Sequence, residues 1–166
     1  IIESCKYVAD NSQTVKINNE KLDIFTKNMK KVEAKHWLTF SPYNLMELPI
    51  EIIVNFLLVY EAIDFSFWGQ PKWTIDIDYG KEDGSIALLY VMLKWIRDRN
   101  STDFSNITKV EFKEILKGNV EIPLFEERYN IIRNISKVVN EKMNGDFYKF
   151  TKNITNDKEL FNIIIE

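Results

Sequence analysis

Hydrophobic positions along this chain recur mostly every three to four residues, the spacing of one face of an α-helix. Ile2, Cys5 and Val8 share one side of a predicted short helix over 1–9. Leu22, Phe25 and Met29 do the same over 20–32, with Asn18 or Asn19 placed to cap it. The stretch 34–48 is aromatic and irregular, with Trp37, Phe40 and Tyr43 around Pro42. Pro49 suits the first turn of a helix running to about Ile63. That segment is apolar on nearly every side, which predicts a central helix.

One stretch changes period. Trp73, Ile75, Ile77 and Tyr79 alternate with Thr74, Asp76 and Asp78, the pattern of a strand, and the segment 80–84 ends it. A helix is predicted over 85–99. Thr108 and Glu111 form a capping box, with Gly118 placed as the stop of the helix that follows. Pro123 opens the longest helix, which runs to about Met143 and ends at Asn144-Gly145. Residues 146–153 read as a loop or a continued helix, and Asn156 can cap a final segment. The expected fold class is mainly α: a single multi-helix domain over 1–166 with one short β-hairpin.

Composition narrows the function classes. Hydrophobic residues make up 45% and aromatics 13% of 166 residues, enough to bury a real core. Net charge is −3, with Lys and Arg scattered among 25 acidic residues, so no basic stripe for polymeric nucleic acid is expected. A small nucleotide needs only one or two local cations and stays open. The lone cysteine, Cys5, excludes an internal disulfide and favours a reducing compartment. The apolar stretches 49–60 and 86–93 are too short to span a bilayer, and no secretory leader is visible, so a cytoplasmic protein without a membrane anchor is expected. The chain opens on Ile1 and closes on three isoleucines and Glu166 without a glycine cap, which predicts either a cut chain or more chain beyond.

Four motifs are candidates for chemistry. Asp64-Phe65-Ser66-Phe67-Trp68-Gly69, followed by Trp73, sits where a buried helix ends. Aromatic planes there can stack on a base, and Asp64 can accept from a base edge or stabilise developing positive charge. The alternative is core packing, with Asp64 as a cap. Lys81-Glu82-Asp83-Gly84-Ser85 can seat a phosphate on a helix N-terminus or be an ordinary turn. Ile122-Pro123-Leu124-Phe125-Glu126-Glu127-Arg128 can build a charged pocket wall, or its acids can simply complement a helix dipole. Asp76, Asp78, Glu82 and Asp83 can ligate a cation, but the alternation favours a solvated strand edge. No zinc spacing, phosphate loop or dinucleotide fingerprint is present, and His36 beside Trp37 reads as structural.

Taken in order, these segments resemble the queuosine salvage family, the queuosine 5′-phosphate N-glycosylases. The similarity runs from Ile2-Glu3-Ser4 and Val8-Ala9-Asp10-Asn11-Ser12 to Val15-Lys16-Ile17. It continues through Phe65-Ser66-Phe67-Trp68, the glycine-led helix over 84–96, Ile122–Arg128 and Asp146-Phe147-Tyr148. The resemblance implies a helical enzyme, similar in fold to helical DNA glycosylases, that cleaves the N-glycosidic bond of queuosine 5′-phosphate and frees queuine for reuse in tRNA modification. It implies no metal or organic cofactor. It also implies a base pocket of Asp64, Phe65, Phe67, Trp68 and Trp73, and a carboxylate to stabilise an oxocarbenium-like sugar. The catalytic group is unassigned, with Asp64 the candidate within this chain.

Three departures accompany the likeness. Asp64 stands where the family has Asn before Phe-Ser-Phe-Trp. Ser85-Ile86-Ala87 and Leu93-Lys94 replace the family's Tyr-Trp-Ser and Asn-Arg. The family is about twice as long, and its catalytic aspartate lies in an Asp-Tyr-Arg motif that this chain lacks. The chain is therefore expected to be the N-terminal portion of a longer enzyme, its site completed by a C-terminal segment or a second chain. The alternatives are a non-catalytic helical module that binds a 7-deazapurine nucleotide, and a helical interaction protein.

Overall fold

The structure, a computed structural model, describes residues 2–14, 16, 18–29, 44–78, 80–152, 154, 156, 158 and 162. The aromatic stretch around Pro42, together with His36 and Tyr79, lies outside the described residues. The chain divides into two compact units, Ile1–Lys35 and His36–Glu166.

The first unit holds α1 (Ile2–Asn11) and α2 (Asn19–Asn28). Asn18 is the N-cap of α2, its side chain accepting from the Lys21 amide at 2.9 Å. The helix ends at Asn28, earlier than the apolar spacing suggests, because Met29 turns extended at ψ 119°. Cys5 is exposed on α1.

The second unit is built around α3 (Ile50–Ile63), with Pro49 at its N-cap as expected. Ile53, Phe56, Tyr60 and Ile63 repeat at helical spacing and are buried. α3 packs against α4 (Gly84–Arg99), α6 (Phe125–Lys142) and α7 (Phe147–Thr151). Ala87, Leu88, Met92 and Ile96 of α4 and Ile132 of α6 close the core from the other side. Each of the larger side chains contributes roughly 1.5–3 kcal/mol by leaving water.

Strands β1 (Thr74–Ile77) and β2 (Gly80–Asp83) form the expected antiparallel hairpin, with Ile75 opposite Glu82 and Ile77 opposite Gly80. The sequence reading ends the strand at Gly80; instead, 80–83 returns as its partner. Lys81-Glu82-Asp83 carries no alternation because it is a charged edge, a common guard against unwanted pairing. Trp73 precedes β1 and is 1% exposed. Its indole N–H donates to the Leu116 carbonyl at 3.0 Å.

That contact revises the reading of Gly118. The capping box at Thr108 and Glu111 is present and opens α5 (Lys109–Ile115). Gly118, however, does not cap the helix in a left-handed conformation. It lies against Trp73 and Thr74: a Cβ there would sit 2.4 Å from the Thr74 carbonyl oxygen and 2.6 Å from the Trp73 indole nitrogen. The Asn119 amide donates to Thr74 O at 3.0 Å, and its side chain holds Thr74 N and Lys72 O. The loop after α5 is thus laced to the start of the hairpin.

α6 ends where expected. Asn144 and Gly145 both take positive φ, and the Met143 and Gly145 amides bond the Val139 carbonyl. Asp146 then caps α7, accepting from the Lys149 amide at 3.0 Å and from Asn55 of α3 at 3.2 Å. Asn55 in turn accepts from the Tyr148 amide, which ties α7 to α3. Among the described residues no helix is long and apolar enough to cross a membrane.

Two outcomes follow for stability. Gly118→Ala should cost about 2–3 kcal/mol in urea denaturation, since backbone and a buried indole must give way. Gly69→Ala, whose new methyl would meet nothing nearer than 3.9 Å, should stay within about 0.5 kcal/mol of the parent. Separately, the Lys149 amide first, with the Lys149 ammonium and Asn55 behind it, holds the Asp146 carboxyl below the ordinary value of 3.8. A lowered carboxyl stabilises the fold above that value, and the stabilisation fades as pH falls through the folded pKa. The stability gap between the parent and Asp146→Asn should therefore be full at neutral pH and shrink below pH 3.8. A gap constant down to pH 2 would refute a role for the charge.

Candidate base-binding site

The sequence motif after α3 and the one that opens α6 meet in space, and Arg128 is where they meet. α6 needs an inward residue one turn after Phe125 and one turn before Ile132, and position 128 is that place. The Arg128 side chain is 0% exposed. Its guanidinium donates to the carbonyls of Ile63 and Phe65, to Ser66 O at 3.3 Å and to Pro123 O at 2.9 Å. Its carbon lies 4.4 Å from the Phe65 ring centre and 4.7 Å from that of Phe67. Burial pulls the guanidinium down to about 10, against the charges of Asp64 and Glu127, so it stays charged at neutral pH.

This clamp shapes the loop. Asp64 ends α3 at φ −86°, and Ser66 turns left-handed at φ 46°. Leu124, at the N-cap of α6, is left-handed too at φ 55°. Each such non-glycine residue costs roughly 1–2 kcal/mol, and each neighbours a carbonyl that Arg128 holds. Of the two readings of the 122–128 segment, a charged pocket wall does not hold for Arg128, which faces the core and reaches these carbonyls there. Glu126 instead pairs with Lys109.

The predicted site residues are distributed unequally. Phe65 and Phe67 are half-buried and lie against the guanidinium. Phe67 also stacks on Trp73 at 6.3 Å, and Trp73 is core. Trp68 is 85% exposed, a large aromatic surface standing in water one residue from a buried stack. Asp64 has one carboxylate oxygen, Oδ1, that is buried beside the Tyr60 hydroxyl and finds no well-aligned hydrogen bond among the described residues. A buried acceptor left unpaired costs roughly 1–3 kcal/mol, and such a group asks for a partner.

Two neighbours of Asp64 escape the sequence reading. Tyr60 lies one turn earlier on α3, its hydroxyl donating to Ser85 O at 3.1 Å. Burial, then the charge of Asp64, pushes that hydroxyl well above the ordinary tyrosine range. Glu61 is also raised, by burial and then by Asp64. Helical spacing from Asp64 could have flagged both. Through Tyr60, the start of α4 at Ser85 comes beside this end of α3. The proposed phosphate seat there is led by Asp83, which pairs with Lys72 at 3.1 Å. Asp76 is exposed and 4.0 Å from Lys81. Among the described residues no three His, Cys, Asp or Glu side chains converge on a metal position.

The exposure contrast is directly testable. Trp68→Ala should leave the urea midpoint within about 0.5 kcal/mol of the parent, whereas Trp73→Ala should cost roughly 3–5 kcal/mol. Equal losses would mean that Trp68 is a packing residue.

Comparison with known proteins identifies the family. The profile of the family described as queuosine salvage protein matches residues 45–166. The queuosine 5′-phosphate N-glycosylase/hydrolase of Sphaerobacter thermophilus is 32% identical over 101 residues, covering 58% of this chain and 31% of that protein. The proteins of the same name from Bos taurus and Mus musculus are 23% and 20% identical, each alignment covering 99% of this chain and 52% of the relative. The chain thus spans about half the length of these mammalian relatives. With the family profile covering most of the second unit and the clamped loop inside it, this chain belongs to the queuosine salvage protein family.

Proposed function

We propose that this chain, over 1–166, carries the base-binding portion of a queuosine 5′-phosphate N-glycosidase of the cytoplasm. In this reading the exposed Trp68 ring stacks on the 7-deazapurine base, and Asp64 Oδ1 accepts a hydrogen bond from it. Phe65, Phe67 and Trp73 hold those two in place. The observation that carries the reading is the Trp68 ring left in solvent four residues after Asp64, whose buried Oδ1 finds no well-aligned hydrogen bond among the described residues. A base offers a match for each: an edge donor for the oxygen and a π-face for the indole.

Cleavage of the glycosidic bond leaves positive charge on the sugar, which a carboxylate stabilises. Asp64 is the candidate on this chain, and a C-terminal segment or a second chain completes the site. A binding module without catalysis is the second reading. The departures from the family pattern at Asp64 and at Ser85-Ile86-Ala87 motivate it, since a pocket can persist without the chemistry.

The deciding experiment incubates the chain with queuosine 5′-phosphate and detects free queuine by mass spectrometry, with a full-length relative in parallel. Release by this chain, abolished in Asp64→Asn, makes it a complete catalyst. Binding without release makes it the pocket-bearing part. Neither binding nor release, with the relative active, refutes the base-site reading.

A further inference from the structure

We propose that Arg128 is a positioning residue for the base site: it holds the left-handed turn at Ser66 from inside the core and thereby sets where Trp68 and Asp64 stand. This rests on the reading of 64–68 as the base-binding loop. An arginine beside a nucleotide site would ordinarily be assigned to the ligand's phosphate. Here the geometry points elsewhere. The side chain is 0% exposed, and four of its five N–H donors go to the Ile63, Phe65, Ser66 and Pro123 carbonyls. Its central carbon also lies 4.4 and 4.7 Å from the ring centres of Phe65 and Phe67.

The clamp reaches every backbone feature that places the ligand groups. Ile63 O is at the end of α3, next to Asp64. Phe65 O and Ser66 O bracket the peptide that turns left-handed. Trp68 leaves two residues later and is 85% exposed, so its position depends on that turn. Only a planar fork reaches several carbonyls while lying flat against rings. Lysine offers a point charge on a flexible stem and cannot do both.

The test measures binding of queuine and of queuosine 5′-phosphate to the parent chain, to Arg128→Lys and to Arg128→Lys/Ser66→Gly, at a temperature where circular dichroism shows each fully folded. The expected result is a loss of about tenfold or more for both ligands alike in Arg128→Lys, because a displaced loop costs every contact it makes. Partial recovery is expected in the double variant, because glycine adopts the left-handed turn unaided. Loss confined to the nucleotide would make Arg128 a phosphate contact and overturn the proposal. Unchanged affinity in folded Arg128→Lys would leave it a stability residue only, which also overturns it. If Arg128→Lys does not fold, Ser66→Val in the otherwise intact chain strains the same turn, and native affinity there counts against the proposal equally. A parent chain that binds neither ligand is a separate result: it removes the base-site reading itself, and the proposal with it.

Discussion

A guanidinium cut off from water is expensive, with an effective desolvation cost of several kcal/mol even after the surroundings relax. Arg128 is such a group, and the surroundings of its head are arranged to offset that cost. The last carbonyls of a helix lack partners within it and carry the negative end of its dipole. α3 ends at Ile63, and Arg128 binds Ile63 O there. Asp64 adds a full negative charge one residue on. The cation and the helix end satisfy each other, and two aromatic rings fill the remaining space around the head.

The consequences spread outward in one connected series. Phe67, held against Arg128, stacks on Trp73. Trp73 donates to Leu116 O, and Gly118 is bare so that the loop can lie against the indole. Asn119 then laces that loop to the start of β1. A two-stranded hairpin is marginal by itself, so these ties and the packing on α4 are what hold it. The left-handed residues Ser66 and Leu124 persist because this surrounding structure overdetermines them. Rigid backing of this kind lets Trp68 be exposed without being loose at its backbone.

The family likeness takes on a physical meaning in this arrangement. The Phe-Ser-Phe-Trp segment and the segment leading to Arg128 lie about sixty residues apart, yet neither can keep its conformation without the other. Two segments that depend on one buried head must change together or not at all.

Much of the fold was legible in the residues themselves. The helical spacing located α3, α4 and α6, the capping box placed the start of α5, and the strand alternation marked β1, because all of these are set by local periodicity and local capping. A partner strand was expected but its place was not legible, since Lys81-Glu82-Asp83 is a solvated edge without alternation and its pairing comes from the partner. Gly118 reads as a helix stop, yet it is bare for a contact with Trp73 more than forty residues away. The aromatic and acidic residues of the candidate site were visible as a motif. Their unequal roles were not, because exposure is decided by what lies behind each ring: Trp73 has a loop across it, Phe65 and Phe67 have a guanidinium, and Trp68 stands in water. Sequence marked the residues of the candidate site. Only the buried charge of Arg128, drawn from a distant helix to an end of α3 that needed donors, decided how they are turned.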